Sequence, residues 1–390
     1  MSYSSFSNRV LLPGRLIASG SDVDRAHTEI NSTRRNFGSL TTLRIPKDDV
    51  HDILDFIFFL ENHAVKLIPM SDIQKDDPQG MGRQGSSMEV FAGTWKGKRV
   101  ALKYLRQSRL PDPSWKTSNG PEYTRRLKLH QQRQKDILFE IKIMGRDFFL
   151  NHRNIVNLFG VFFEEDDGLP GEPNIFSPGM VLELADEHCP DLEAYFAYEH
   201  RPKPITFDTA ARIISDVADG VTALHLYGVI HADLKPSNIL IFESGVRDKL
   251  IAKIADFGFC GIIASDENTR GGTSYWNAPE VLAGEVQPSN ARYTTDPSNF
   301  YRDIYSFGLV AATTALDGNL PFDEQYATQL KLEDKVITHI SKLLETNANA
   351  LQYTEDQVSK FIRVVRLTLC RNKTDRLPNV SKIRLLLLPE

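Results

Sequence analysis

The pattern of hydrophobic residues changes along the chain, and this change fixes the order of its parts. Residues 88–105 (MEVFAGTWKGKRVALKYL) predict two strands rich in Val, Phe, Trp and Tyr around a turn at Lys96–Lys98, which together form a β-hairpin. Two further strand patterns follow, whereas the patterns from Asp191 to the end are mainly helical. A chain of 390 residues is also longer than one hydrophobic core usually supports. The sequence therefore predicts an α+β fold with a small β-rich part and a larger helical part.

Composition argues against several classes of protein. The net charge is −5 and the pI about 6.1, so no nucleic-acid partner is predicted. The most apolar stretch, residues 53–60, is interrupted by Asp55 and too short to span a bilayer, so no membrane partner is predicted. The cysteines form no CxxC motif, which favours neither a disulfide framework nor a zinc site; they are Cys189, Cys260 and Cys370. We therefore expect a cytoplasmic protein in a reducing environment.

Residues 1–69 differ in composition from the rest of the chain. The first 49 residues are rich in Ser, Thr, Arg and Asn, which is typical of a mobile or loosely packed extension. Residues 50–66 place apolar side chains at helical intervals and predict a short amphipathic helix. The predicted organisation is therefore a partly disordered extension at residues 1–69 and one larger domain at residues 70–390.

The most specific segment is residues 231–238 (HADLKPSN), because its HxDxxxxN core is expected by chance at roughly one start position in ten thousand. A short apolar strand pattern then ends in a second acidic turn, residues 256–258 (DFG). Taken alone, the first segment also fits an ordinary loop in which Asp233 caps a helix and Pro236 begins a turn. The second acidic turn, which follows a strand pattern, favours a functional site.

These two segments resemble the catalytic loop and the DFG turn of eukaryotic protein kinases of the serine/threonine type. Within this type, they are most similar to the tyrosine-kinase-like group. Residues 272–280 (GTSYWNAPE) resemble the end of the kinase activation segment, and residues 100–103 (VALK) resemble the strand with the phosphate-binding lysine. The resemblance implies a bilobal fold. A small antiparallel β-sheet N-lobe is expected at about residues 70–182, a connection at residues 183–185, and a mainly helical C-lobe at about residues 186–390.

The resemblance implies that the chain transfers the γ-phosphoryl group of ATP, with Mg²⁺, to Ser and Thr hydroxyls of protein substrates. Asp233 is expected to orient the acceptor hydroxyl and accept its proton, and Lys235 to lie near the transferring phosphoryl group. Asn238 and Asp256 are the expected Mg²⁺ ligands. Lys235 followed by Pro236 resembles serine/threonine enzymes more than tyrosine kinases.

Lys103, the last residue of VALK, is expected to bind the phosphates of ATP and to pair with a glutamate on the next helix. Glu140 is the candidate, because it shares a helical stripe with Ile137 and Met144 and points inward, where an unpaired carboxylate would be costly. The alternative is that Glu140 reaches solvent and Lys103 is a surface residue of the strand.

The ATP site is expected between the two lobes. The resemblance places the adenine between Val90 and Ala101 on one side and Leu240 on the other. Backbone groups at Glu183 and Ala185 are expected to bind the edge of the adenine ring.

The glycine-rich loop departs from the family pattern. Residues 80–85 (GMGRQG) satisfy GxGxxG, but Val90 then falls five residues after Gly85 instead of two. Counting back from the VALK lysine gives a second alignment, in which Gly85 keeps its nucleotide-binding place while Arg83 and Met88 replace glycines. We favour the second alignment. Glycine lets backbone amides approach phosphate closely, so the loss of two glycines would weaken ATP binding unless Ser86 and Ser87 help to close the loop over the nucleotide.

Ala232 stands where family members commonly carry an arginine that binds a phosphorylated activation loop. Its presence predicts activity that depends little on phosphorylation of this loop. The alternative is that another basic residue takes over that role. Hydroxyl groups are available in the loop at Ser265, Thr269, Thr273, Ser274 and Tyr275.

Three further features complete the prediction. Residues 303–308 (DIYSFG) resemble the helix whose aspartate anchors the catalytic loop, and Arg376 is the best match to the arginine that pairs with Glu280. Segments 106–135 and 284–302 look expanded relative to the family. A pseudokinase that serves as an interaction scaffold is the main alternative function, and a small-molecule kinase is a third one. The physiological substrate and the oligomeric state are left open.

Overall fold

The computed structural model describes residues 60, 62–76, 83–84, 88–105, 125, 136–166, 175–244, 250–263, 272–283, 293–294 and 300–388. The chain divides into two compact units. The first contains the chain up to Leu150 together with Asn157–Leu184, and the second contains Asn151–Val156 together with the chain from Ala185 onwards. The change of unit between Leu184 and Ala185 lies inside the predicted connection at residues 183–185.

The described part of the first unit contains a six-stranded antiparallel sheet. The strand order is β1-β3-β4-β6-β5, and β2 pairs with β3 outside this path. The strands are β1 (Ile73–Lys75), β2 (Arg83–Gln84), β3 (Met88–Trp95), β4 (Lys98–Leu105), β5 (Leu158–Asp166) and β6 (Ile175–Glu183). Every pairing in the sheet is antiparallel.

The predicted hairpin is β3–β4, but its turn is one residue shorter than expected. Trp95 pairs with Lys98, so only Lys96 and Gly97 form the turn. Their φ angles are 50° and 75°. Two successive residues with positive φ give the tight turn whose twist matches that of the flanking strands, and Gly97 reaches this conformation without a steric penalty.

Chain before the hairpin packs into the first unit. The Val161 N–H donates to Lys66 O (2.8 Å) and the Ile68 N–H donates to Val161 O (2.7 Å), so residues 66–68 run along β5. One cluster of buried residues among those described in this unit consists of Ile68, Ile73, Val100, Leu102, Tyr104, Phe162 and Val181. Residues 66–68, predicted as part of the extension, are therefore held by the sheet. Most of the amphipathic helix predicted at residues 50–66 lies outside the described residues.

One helix of the first unit, α1, covers residues 136–144. Its buried side chains include Ile137, Ile141 and Met144, which fall on one face at helical spacing. Residues 145–150, which follow the helix, form turns. The two expanded segments, 106–135 and 284–302, lie largely outside the described residues.

The second unit is mainly helical. Two helices, Phe207–Leu226 and Phe300–Ala315, are buried along most of their length. The first packs against the second and against the strand Leu250–Ile254. The described helices are α2 (Leu192–Ala197), α3 (Phe207–Leu226), α4 (Pro279–Leu282), α5 (Phe300–Ala315), α6 (Glu324–Leu332), α7 (Val336–Leu351), α8 (Glu355–Thr368) and α9 (Ile383–Leu387). Short strands are β7 (Val229–Ile230), β8 (Ile239–Glu243), β9 (Leu250–Ile254), β10 (Gly261–Ile263) and β11 (Tyr293–Thr294). The predicted bilobal α+β fold is confirmed.

Residues 151–156 belong to the second unit although the predicted N-lobe included them. The Val156 N–H donates to Ile254 O and the Ile254 N–H donates to Asn154 O, both at 2.9 Å. Asn154 Nδ2 also donates to Ala252 O (3.0 Å). Strand β9 therefore captures this short segment, and hydrophobic periodicity alone does not reveal such a backbone contact. In the described ranges, no helix is long and apolar enough to cross a membrane.

Candidate active site

Strand β4 and helix α1 bring together a buried ion pair in the first unit. Lys103 Nζ lies 2.7 Å from Glu140 Oε1 and 2.8 Å from Oε2. The two side chains are 8% and 2% exposed. Either charge would be costly to bury alone, so each one makes the burial of the other tolerable. The alternative in which Glu140 reaches solvent does not hold.

Strands on either side of β4 carry residues of the predicted adenine site. Val90 lies directly opposite Lys103, and Ala101 is opposite Leu182. At the end of β6, Glu183 Oε1 accepts from the Asn157 N–H (2.7 Å), and the Glu183 N–H donates to Asn157 O (3.0 Å). Glu183 therefore holds the residue that precedes β5, and the Glu183 N–H is already used in this contact.

The hairpin between β2 and β3 bears on the alignment of the glycine-rich loop. Arg83 pairs with Val90 and Gln84 pairs with Glu89. Residues 83 and 84 are therefore strand residues, and Met88 begins β3. The choice between the two alignments stays a prediction. Gly85 itself lies outside the described residues.

The remaining residues of the predicted adenine site are in the second unit. Leu240 is half-buried on β8, where it pairs with Lys253. Ala185 is also half-buried, and the next residue, Asp186, donates its N–H to Ile241 O (3.1 Å). Backbone hydrogen bonding therefore ties the segment after Ala185 to the strand that carries Leu240.

Asp303, in α5, anchors the backbone of the loop at residues 231–238. Its Oδ2 accepts from the His231 N–H (2.7 Å) and its Oδ1 from the Ala232 N–H (2.8 Å), while His225 Nε2 lies 3.0 Å from Oδ2. Burial alone would raise the Asp303 pKa, but the hydrogen bond and charge of His225, then the charge of His231 and the Ala232 amide, lower it. Asp303 therefore stays ionised and holds the loop.

Asp233 is the centre of the loop and is buried. Its Oδ1 accepts from the Thr273 N–H and from Thr273 Oγ1, both at 2.7 Å. Its Oδ2 lies 2.8 Å from Lys235 Nζ, which also donates to Thr273 Oγ1 (2.8 Å). The second unit therefore places a hydroxyl group between a carboxylate and an ammonium ion.

Backbone contacts bring Asn238 and Asp256 to the same loop. Asn238 Nδ2 donates to Asp233 O (2.8 Å) and Oδ2 (3.2 Å), which leaves its Oδ1 as the atom suited to a cation. The Ala255 N–H donates to Asn238 O (2.9 Å), so Asp256 follows directly after this contact. Asp256 has φ 63° and ψ 79°, in the left-handed region that non-glycine residues seldom adopt.

Glu280 and Arg376 form a bidentate pair in the second unit. Arg376 Nη1 and Nη2 lie 2.7 Å from Glu280 Oε1 and Oε2, respectively. The guanidinium also donates to backbone carbonyls, including Tyr301 O at 2.9 Å. The arginine side chain is 0% exposed. The pair predicted from the resemblance is present, and it ties the end of the 272–280 segment to the chain near residue 376.

Sequence reasoning missed Arg302, which supports the unusual backbone at Ala232. Ala232 has φ 66°, and Arg302 Nη2 donates to its carbonyl (3.2 Å). Burial lowers the Arg302 pKa, and the charges of Asp303, Glu280 and Asp233 oppose this effect. The two α5 residues at positions 302 and 303 thus hold both the carbonyl and the amide of Ala232. A cation whose partner is a backbone carbonyl leaves no complementary side chain in the sequence to reveal it.

Sequence reasoning also missed Lys331, in α6. Its Nζ donates to Tyr275 O and to Asn277 O, the second at 2.8 Å. The carbonyl between them, Trp276 O, accepts from Ser306 Oγ (2.8 Å). Lys331 is 1% exposed, and burial lowers its pKa to about 7. Three consecutive carbonyls that follow Thr273 are therefore held by two side chains from different helices.

Comparison with known proteins gives one family and many relatives. Residues 79–383 match the family model described as protein kinase domain. The chain is 32% identical over 177 residues to serine/threonine-protein kinase dst2 of Dictyostelium discoideum, which covers 45% of this chain and 13% of that protein. It is 28% identical over 242 residues to serine/threonine/tyrosine-protein kinase HT1 of Arabidopsis thaliana, which covers 61% of this chain and 49% of the relative. The chain therefore spans less than half the length of either relative.

Proposed function

Because the chain belongs to the protein kinase family, we propose that it is an active serine/threonine kinase, which transfers the γ-phosphoryl group of ATP to protein hydroxyls with the help of Mg²⁺. The observation that carries this proposal is the position of the Thr273 hydroxyl. It lies 2.7 Å from Asp233 Oδ1 and 2.8 Å from Lys235 Nζ. A hydroxyl group is thus accommodated beside the carboxylate that would orient an acceptor hydroxyl and accept its proton.

Lys235 has a separate part in this proposal. Its ammonium group contacts Asp233 and its side chain is 23% exposed, so Lys235 can also reach a phosphoryl group. A cation at this position would stabilise the charge on the transferring group. The relative dst2, which is named a serine/threonine-protein kinase, supports Ser and Thr as acceptors.

The residues present fit Mg²⁺. The ion prefers oxygen ligands and is often bound by one or two protein groups together with the phosphates of a substrate. Asn238 Oδ1 and the Asp256 carboxylate supply such ligands, and Asn238 is oriented by its contacts with Asp233. Among the described residues there is no cluster of three or more His, Cys, Asp or Glu, so the proposed site is one that phosphate oxygens complete. When bound, Mg²⁺ would neutralise charge on the phosphates.

The first unit supplies residues for the nucleotide. We assign the phosphates to Lys103, which Glu140 holds in place through two contacts of 2.7 and 2.8 Å. Val90 and Ala101 are assigned to the adenine in this unit. Leu240 and the backbone at Ala185 have the same assignment in the second unit. Gly85 keeps its proposed place at the phosphates.

A pseudokinase is the second candidate, and one observation favours it. In the second alignment of the glycine-rich loop, Arg83 and Met88 stand where glycines are expected, and this change would lower the affinity for ATP. Opposing this, Asp233, Asn238 and Lys103 retain their side-chain contacts. An interaction scaffold would not require those contacts.

The test is ³²P transfer from Mg·ATP to a generic protein acceptor and to the protein itself. Wild type is compared with Asp233→Asn and Asp256→Asn, and with Asp208→Asn as a control for removal of an exposed carboxylate. We expect incorporation by wild type and the control, and none by the two active-site variants. Equal background for all four proteins, with the fold verified by circular dichroism, would instead support the scaffold.

A further inference from the structure

The segment at residues 273–277 begins at the proposed catalytic carboxylate. Asp233 accepts two hydrogen bonds from Thr273, and both Thr273 and Ser274 are exposed. An acceptor hydroxyl must come within hydrogen-bond reach of Asp233, so the polypeptide that carries it must pass beside these two exposed residues. The backbone position of this segment therefore determines where a protein acceptor can bind.

We propose that Lys331 is a positioning residue for protein acceptors, which fixes the backbone at residues 275–277 in the conformation that receives them. This inference rests on the proposed kinase function. Lys331 Nζ donates to the carbonyls of Tyr275 and Asn277, and Ser306 Oγ donates to the carbonyl of Trp276 between them. Consecutive carbonyls held from two helices leave this backbone little freedom to rotate.

The surroundings of Lys331 suit a cation that serves the backbone. Its Nζ lies 5.6 Å from the ring centroids of both Tyr275 and Tyr305. Glu280, a carboxylate that acts on Tyr305 electrostatically, is bound at both oxygens by Arg376. Lys331 therefore places its donors on backbone carbonyls and its charge against aromatic faces, and an apolar residue of the same length would leave two buried carbonyls without a donor.

The experiment compares Lys331→Met, Lys331→Gln and the matched control Lys335→Met. Lys335 is close in sequence, but its side chain is 64% exposed and contacts Glu333. The Michaelis constant for dephosphorylated casein, the Michaelis constant for ATP and the slow hydrolysis of ATP are measured for each protein. For Lys331→Met we expect the constant for casein to rise about tenfold, since two buried carbonyls lose their hydrogen-bond donor. The constant for ATP and the hydrolysis rate stay unchanged, because no acceptor protein takes part in them.

Lys331→Gln keeps one neutral donor group and should lie between wild type and Lys331→Met, whereas Lys335→Met should match wild type. An unchanged constant for casein in Lys331→Met, or an equal loss of ATP hydrolysis and casein phosphorylation, would overturn the inference. Ser306→Ala provides a milder second variant if Lys331→Met does not fold. It removes only the middle hydrogen bond, and its constant for casein should rise about twofold to fivefold.

Hydrogen–deuterium exchange separates this inference from the proposed function. The Trp276 and Asn277 amides donate to Thr273 O and Ser274 O, so their exchange reports on the segment without any catalysis. We expect at least about tenfold faster exchange across residues 272–283 in Lys331→Met, and no change in Lys335→Met. If wild type transfers no phosphate but this exchange pattern is found, the kinase proposal fails while the role of Lys331 in the segment stands. Wild-type exchange in Lys331→Met would refute that role, whatever the activity.

Discussion

Lys103 and Lys331 are both buried lysines, but one belongs to the first unit and the other to the second. Lys103 is bound by a carboxylate, with both oxygens of Glu140 within 2.8 Å. Lys331 donates to backbone carbonyls and lies over aromatic rings. A carboxylate cancels the charge of a buried lysine, whereas carbonyls satisfy only its hydrogen bonds. A carboxylate partner favours the charged form of a buried lysine, whereas burial lowers the Lys331 pKa to about 7.

This difference separates two uses of a buried cation. A lysine that must bind phosphate needs its charge at every physiological pH, and the Glu140 carboxylate provides for that. A lysine that holds a backbone segment needs its donors, and the charge adds to their strength. We therefore expect the two lysines to respond differently to substitution and to pH.

The largest effect is expected at Lys103. Replacing it with Met removes the proposed phosphate contact and breaks the buried ion pair with Glu140. Phosphoryl transfer should fall by about a hundredfold to a thousandfold in kcat/KM, as when a preorganised donor is removed from an active site. Steady-state kinetics with Lys98→Met as control will test this, because Lys98 is exposed on the same strand. Equal kinetics of the two variants would show that Lys103 does not contribute to phosphoryl transfer.

A third buried cation, Arg376, extends the comparison to stability. Glu280→Gln leaves its guanidinium without a counter-charge, and the free energy of unfolding should fall by about 3 kcal/mol. The matched change is Asp208→Asn, which breaks the exposed Arg212–Asp208 pair (2.9 Å). Its cost should be about 0.5 kcal/mol or less, since exposed ion pairs contribute little. Urea unfolding of both variants will measure the difference, and similar losses would show that burial is not what matters here.

The smallest effect, a gradual change with pH, distinguishes Lys331 from Lys103. The Lys331 pKa is lowered to about 7 by burial, from an ordinary value of 10.5. Between these values the unfolded chain binds more protons than the folded one, so the free energy of unfolding rises with pH. The contribution is at most about 1.4 kcal/mol per pH unit.

Urea unfolding at pH 7, 8 and 9 measures this contribution as the difference between wild type and Lys331→Met. The free energy of unfolding of wild type, minus that of the variant, should increase as the pH rises. Parallel curves over this range would mean that Lys331 titrates like an exposed lysine. The comparison between the two buried lysines would then lose its electrostatic basis.

The sequence predicted those parts of the site whose partners are side chains within motifs. Lys103, Asp233, Asn238 and Asp256 stand in motifs whose chemistry constrains residue type and spacing. Glu140 followed from an apolar helical stripe that would otherwise bury a lone carboxylate. These positions could be predicted because a complementary group was also present in the sequence.

Other parts could not be predicted, and the reason is physical. Lys331 donates to main-chain carbonyls, which every residue carries, so the contact leaves no mark in the sequence, and the same holds for the contact of Arg302 with the Ala232 carbonyl. The same applies to residues 151–156, which β9 captures through backbone hydrogen bonds. The turn at Lys96 and Gly97 was predicted one residue too long, because strand pairing sets its length and hydrophobic alternation does not fix pairing at the strand ends.

The most direct test of the central claim is the initial rate of ³²P transfer into Ser and Thr by phosphatase-treated protein, with Asp233→Asn in parallel. Ala232 stands where an arginine would bind a phosphorylated loop. Thr273 contacts Asp233 at 2.7 Å in a chain that lacks this arginine. We predict labelled phosphoserine and phosphothreonine from the first minutes, without a lag, and no label from Asp233→Asn. The absence of label from wild type, or equal label from the variant, would contradict the account.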